Sequence, residues 1–259
     1  MTAAGRPLAL VTGASSGIGR ALARELAGDG HDLVLTARRE APMQALAAEL
    51  AGRGAAATII AADLSQPGAA AELAAAVETR GLAVEVLINN AGLGGVGRFD
   101  RSDPDRIGEM LNVNIVALTE LTRRLLPGMV ARGHGRIMLV ASTAGFLPGP
   151  GMAVYFATKA YVLSFGEAIA QELRGTGVTV TTLCPGATAT EFFAVAGSEH
   201  GVVRAMMSAA EVARIGYRGL KAGRRVVVAG LHNRVLAIGS RLAPHAVTLP
   251  VVSALMPRR

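Results

Sequence analysis

Short apolar runs rich in branched side chains alternate along this chain with longer stretches of helical pattern, and this alternation restricts the possible folds most. The runs are residues 8–12, 32–37, 56–61, 84–88, 135–141, 178–183 and 225–229. Their unbroken apolarity suits strands covered on both faces. Strands alternating with helices predict a parallel sheet joined by right-handed crossovers. The expected fold class is therefore α/β, a doubly wound parallel sheet of about seven strands with helices on both faces. Helix ends are readable as well. Asp103-Pro104 resembles an N-cap followed by proline at the first helical position. Ser208-Ala-Ala-Glu211 is a candidate capping box. With neither an internal linker nor a repeat, residues 1–259 read as a single domain.

Composition narrows the function classes. A chain of 259 residues, 51% hydrophobic, can bury a large core and is not disordered. The formal net charge of +7 would permit nucleic-acid or acidic-surface binding. However, the arginines are spread from Arg6 to Arg259, mostly singly or in pairs, and few aromatics are present for base stacking. No nucleic-acid partner is expected. Cys184 is the single cysteine, so no internal disulfide or zinc spacing exists. It reads as a small buried apolar residue. The five histidines, His31, His134, His200, His232 and His245, show no metal-ligand spacing. The N-terminus lacks the length and cleavage pattern of a signal peptide. No uncharged apolar stretch reaches the roughly 18 residues of a membrane span. The nearest, 243–256, is interrupted by His245 and Pro250. A cytoplasmic protein without an integral membrane segment is the expectation.

The first run leads straight into TGASSGIG, residues 12–19, with Gly13, Gly17 and Gly19, and then into a helical pattern. Such glycines let backbone approach a pyrophosphate closely, and the following helix offers its N-terminal amides to the phosphates. Ser15, Ser16 and Ile18 belong to the same expected cofactor-binding turn. Alone, three glycines make a plain turn; after the first strand of a βαβ chain, a dinucleotide site is the stronger reading. The second run ends Leu35-Thr36-Ala37-Arg38-Arg39. No carboxylate stands at that strand end to take a ribose 2′-hydroxyl. A guanidinium suits a 2′-phosphate through bidentate, charge-assisted hydrogen bonds. Arg38 and Arg39 therefore point to NADP(H), with NAD(H) the weaker alternative. Two solvated surface charges are the plainer reading.

In order along the chain, TGASSGIG (12–19), Asp63-Leu64, NNAG (89–92), Asn114, Ser142, YFATK (155–159) and PGATAT (185–190) closely resemble the signatures of the short-chain dehydrogenase/reductase family. The resemblance covers residues 8–229 and implies a Rossmann-type fold. The stretch around Ser142 and the tail after Arg224 are similar to a bacterial subgroup of NADP-type oxidoreductases. By this resemblance Asp63 would bind the adenine amino group and Leu64 would line its pocket. Asn90, Ala91 and Gly92 would lie beside the cofactor at the end of the fourth strand. Pro185, Gly186, Thr188 and Thr190 would line the nicotinamide. Ala187 departs from the second proline that many members carry there. Family members are commonly dimers or tetramers, so a homodimer or homotetramer is implied.

The chain has three tyrosines and two lysines, and YFATK places one of each four residues apart. Residues i and i+4 share a helix face, so Tyr155 and Lys159 can point into one cleft. A free phenol titrates near about 10. A nearby cation lowers that value and makes the phenol a usable acid/base. By resemblance, Lys159 would also reach the ribose hydroxyls, Ser142 would hydrogen-bond the substrate oxygen, and Asn114 would position a water linking Lys159 to solvent. For an isolated Y-x-x-x-K, a satisfied core tyrosine and a surface lysine would be the better reading. Ser142 upstream and the glycine turn weigh against it.

Residues 188–222 are a candidate substrate lid and residues 230–259 a C-terminal tail. Leu93, Val96, Phe146, Leu147, Met152, Phe192, Phe193 and Val195 make the expected pocket apolar, which suits a hydrophobic carbonyl or alcohol better than a sugar. His200 in the lid is a substrate contact or a solvated side chain. In the tail, Val235, Leu236, Ile238 and Leu242 can form one helical face that covers the pocket, meets a partner subunit or touches a membrane surface. The functional expectation is an NADP(H)-dependent oxidoreductase with Tyr155 as acid/base. Its rivals are a catalytically idle cofactor-binding sensor and, on charge alone, a nucleic-acid binder.

Overall fold

A computed structural model describes residues 5–192, 196 and 206–255. Its central sheet contains β1 (Leu8–Thr12), β2 (Asp32–Thr36), β3 (Ala57–Ile59), β4 (Val84–Asn89), β5 (Gly135–Val140), β6 (Val178–Cys184) and β9 (Val226–Val228). Every pair is parallel, in the order β3-β2-β1-β4-β5-β6-β9. Seven expected strands are found. The edge strands β3 and β9 are shorter than their apolar runs, because each has a neighbour on one side only.

Side chains along β1 show why such strands read as continuous apolar runs. Leu8 and Leu10 enter one core, with α3 (Ala69–Thr79), α5 (Leu118–Arg132) and α6 (Ala153–Glu172). Ala9 and Val11 enter the other, with α1 (Gly17–Gly28), α2 (Glu40–Ala51) and α7 (Ala209–Lys221). Successive residues of a strand point to opposite faces, so a sheet with helices on both sides is apolar at every position.

The expected helix starts are present. Asp103 caps α4 (Pro104–Leu111) by accepting from the Asp105 amide at 3.0 Å. Ser208 and Glu211 form the capping box of α7. A π-helical turn, Asn112–Ala117, joins α4 to α5; such widened turns recur at functional sites.

One expectation needs correction. Residues 209–221 of the candidate lid form α7, which is packed into the core through Val212, Ala213 and Tyr217. After β6, residues 188–189 and 207–208 pair as two short parallel strands, β7 (Thr188–Ala189) and β8 (Met207–Ser208). Two tail helices, α8 (Leu231–Leu242) and α9 (His245–Leu255), follow β9. Among the described residues no helix is long and apolar enough to cross a membrane.

Candidate active site

The strand order reverses between β1 and β4, and ligands of open α/β sheets bind at such a switch point. Thr12, at the end of β1, latches the two strands together. Its buried hydroxyl donates to the Ile88 carbonyl at 3.2 Å and accepts from the Asn90 and Ala91 amides at 2.9 and 3.0 Å. The Asn90 side chain returns the contact, donating to the carbonyls of Thr12 (2.9 Å) and Gly13 (3.3 Å). Thr12 was not among the expected site residues. Its only mark in the sequence is that it directly precedes the glycine turn.

Gly13 and Gly17 adopt φ of +66° and +54°, where a side chain is strained. A Cβ on Gly13 would also lie 2.7 Å from Asn90 Nδ2 and 3.0 Å from the Ala91 Cα. At Gly19 a Cβ would collide with the Gly13 carbonyl and the Asn90 amide. The turn is therefore stripped of side-chain bulk where it packs against the loop after β4, and α1 begins immediately behind it.

That cleft has a volume of about 1030 Å³. All the expected cofactor residues line it except Gly19, which packs beneath the turn. At one end of it Arg38 and Arg39 are exposed beyond β2. Asp63 accepts from the Ser65 amide (3.1 Å) and hydroxyl (2.8 Å) through Oδ1, which leaves Oδ2 for a ligand. Leu64 is buried beside it. Thr36 Oγ1 is buried at the end of β2 with no protein partner among the described residues. An open glycine cradle, an available carboxylate oxygen and two guanidinium groups fit a phosphorylated dinucleotide.

At the other end, Ser142 follows β5, accepting from the Ala144 amide at 3.1 Å and facing the Pro185 carbonyl at 3.4 Å. Tyr155 and Lys159 lie one turn apart on α6 and both line the cleft, as their spacing requires. The buried Lys159 ammonium donates to the Val140 carbonyl at 2.9 Å and sits 5.8 Å from the Tyr155 ring centroid. Burial pushes Lys159 down to about 8. The half-buried Tyr155 moves opposite to the sequence expectation. Burial raises its phenol to about 12, and the hydrogen bond with Ser142 pulls only partly the other way. Desolvation disfavours the charged phenolate, so the phenol holds its proton at neutral pH.

Asn114 lies behind the cleft, inside the π-helical turn. Its Oδ1 accepts from the Leu93 amide at 2.8 Å. Its Nδ2 donates to the Leu93 carbonyl and to Thr158 Oγ1, each at 2.9 Å. Thr158 in turn donates to the Tyr155 carbonyl at 2.7 Å. Asn114 thus ties the loop after β4 to the helix bearing Tyr155. A Cβ on Gly92 would lie 3.4 Å from both Asn114 Oδ1 and Lys159 Nζ, so the two polar groups face one point.

On the substrate side, Leu93, Val96, Leu147, Met152 and Phe192 line the cleft as expected. The Phe192 ring stands 5.2 Å from that of Tyr155. Phe146 does not line it; it packs on the main core. Phe193, Val195 and His200 lie outside the described residues. Phe156 joins the lining, as do Val235 and Leu236 of α8 and Val247 and Val251 of α9. The tail thus borders the cleft through these residues, while Ile238 points outward, 62% exposed.

Sequence and structure comparisons place the chain in a family. The family described as short chain dehydrogenase matches residues 7–201. A sulfoacetaldehyde reductase of Chromohalobacter salexigens is 41% identical over 187 residues, 70% of this chain and 72% of that protein. The NADP-dependent 3-hydroxy acid dehydrogenase YdfG of Escherichia coli K12 is 37% identical over 180 residues, 69% of this chain and 71% of that one. Among solved structures, a short-chain dehydrogenase from Sphingobium yanoikuyae in complex with NADPH superposes with a TM-score of 0.82 at 32% identity, covering 98% of this chain and 97% of that one. The bulky-bulky ketone specific alcohol dehydrogenase from Comamonas testosteroni superposes with a TM-score of 0.79 at 30% identity, covering 95% and 94%.

Proposed function

This chain belongs to the short-chain dehydrogenase family and is an oxidoreductase, and on that premise we propose that it reduces the carbonyl group of an apolar substrate with NADPH, Tyr155 supplying the proton. The observation that carries this reading is the convergence of Tyr155, Ser142 and Lys159 at the far end of a cleft that begins at two arginines.

The bound nicotinamide would supply the hydride that the carbonyl carbon accepts. Ser142 would hold the carbonyl oxygen through its hydroxyl and keep it within reach of Tyr155. The Tyr155 hydroxyl would pass its proton to that oxygen as the C=O π bond is lost, leaving an alcohol and a phenolate. Lys159, 5.8 Å from the ring, would stabilise the phenolate by its charge. Both Asn114 amide hydrogens are engaged, so any water relay from Lys159 would rest on the remaining lone pair of Asn114 Oδ1.

NADP(H) is supported by Arg38, Arg39 and the absence of a strand-end carboxylate, and by two relatives named for that cofactor. The substrate class follows from charge. Among the described residues the cations lining the cleft are Arg38 and Arg39, at the adenosine end, and Lys159, already paired with Val140. Among the described residues no cation faces the substrate half, and that described lining favours an uncharged carbonyl over the small anions that name the relatives from C. salexigens and E. coli. An apolar ketone or aldehyde, as in the name of the Comamonas enzyme, matches the lining better. Assembly as a homodimer or homotetramer is supported by Leu111, Val116 and Val130, exposed along α4, the π-helical turn and α5. Light scattering at micromolar concentration tests it, a monomer counting against it.

NADPH and NADH oxidation against a panel of apolar ketones and aldehydes, with sulfoacetaldehyde and a 3-oxo acid as anionic comparators, tests the reading. NADPH-driven turnover of the apolar compounds is expected. Preference for the anions, or tight NADPH binding with no turnover of any carbonyl, would overturn it, the latter in favour of a cofactor sensor.

A further inference from the structure

The carboxylate missing from the end of β2 is delivered from elsewhere in the chain. Glu191 Oε2 lies 2.6 Å from Nη2 of Arg39, across 152 residues of sequence. It follows Thr190, whose methyl group sits over the glycine turn: a Cβ on Gly17 would be 3.0 Å from Thr190 Cγ2. The chain after β7 therefore crosses the turn and sets an acid at the adenosine end. Both side chains line the cleft and are slightly more than half exposed. Arg38 beside them has no ion pair or hydrogen bond among the described residues. An exposed pair of this kind adds little to stability. Its effect lies in what it does to a ligand arriving at Arg39.

We infer that Glu191 is a specificity-determining residue, competing with the 2′-phosphate of NADP(H) for Arg39. The inference rests on the reading above that the two arginines receive that phosphate. A 2′-phosphate must displace the carboxylate from the Arg39 guanidinium and then tolerate it as a neighbouring like charge. A 2′-hydroxyl meets no such opposition, and the carboxylate offers it an acceptor. Glu191 thus narrows the preference that Arg38 and Arg39 create and keeps NAD(H) usable.

Calorimetric titration with 2′,5′-ADP and 5′-AMP, which differ only in the 2′-phosphate, isolates this effect from catalysis. In Glu191→Gln, 2′,5′-ADP should bind about two- to fivefold more tightly and 5′-AMP no more tightly, with the gain shrinking as salt rises. In Arg39→Gln, 2′,5′-ADP should weaken, and adding Glu191→Gln should then tighten it by less than in the wild type, since only the like-charge repulsion is left to remove. Unchanged or weaker 2′,5′-ADP binding in Glu191→Gln, or equal tightening of both ligands, overturns the inference while Arg39→Gln still upholds the arginine reading. An Arg39→Gln variant with an unaltered preference for 2′,5′-ADP instead removes Arg39 from phosphate binding, and the inference falls with it.

Discussion

Lys159 holds a charge where charge is costly. Its folded value of about 8 lies below the 10.5 of an exposed lysine. Between those values the unfolded chain binds a proton that the folded chain has released, so this group makes stability rise with pH across that window. Tyr155, raised by burial, works in the opposite sense only above about 10, where unfolded tyrosines ionise. Chemical denaturation between pH 8 and 10 should therefore show an increase on the order of 1–3 kcal/mol in the wild type that Lys159→Met loses. In the same range kcat/KM for NADPH, which reports the free enzyme, should fall through about pH 8 as the ammonium is lost. The pairing of Tyr155 with Lys159 was readable from the chain, because a spacing of four is a helix face. The direction of the tyrosine shift was not, since it depends on burial built by segments distant in sequence, Phe192 among them. Thr12 and Glu191 were hidden for the same reason: their partners lie 78 and 152 residues away.

Among the elements, the π-helical turn places a single residue at the junction of a loop and a helix. Asn114→Ala removes partners from the Leu93 amide and carbonyl and from Thr158, all buried or nearly so. A loss of about 2–4 kcal/mol in denaturant unfolding is expected, together with a lower kcat from a displaced Tyr155. A change under about 0.5 kcal/mol would mean that the amide braces nothing. The main strands could be read from the sequence because both faces of the sheet are covered, which makes their apolarity continuous. Strands β7 and β8, two residues each, are too short to carry any periodicity. For α7 the capping box announced the helix, but nothing local announced that it packs on the core rather than over the substrate.

For the molecule as a whole, the cleft is a joint product of the sheet's switch point and the two tail helices. Val235 and Val251 stand at its mouth, both more than half exposed, so a charge there leaves folding intact. Val235→Asp with Val251→Asp should raise KM for an apolar ketone by about tenfold or more and leave 2′,5′-ADP binding unaltered. Equal effects on both would show that the tail supports the whole cleft and not its substrate half. That tail residues border the cleft was not legible in the sequence, because an apolar helical face does not state what it covers. The central claim is that the Tyr155 hydroxyl protonates the carbonyl oxygen, and single-turnover reduction of an apolar ketone by NADPH-loaded Tyr155→Phe tests it most directly. NADPH should still bind, and the rate should fall by roughly 10²–10⁴-fold; a rate near that of the wild type, with NADPH bound, would contradict the account.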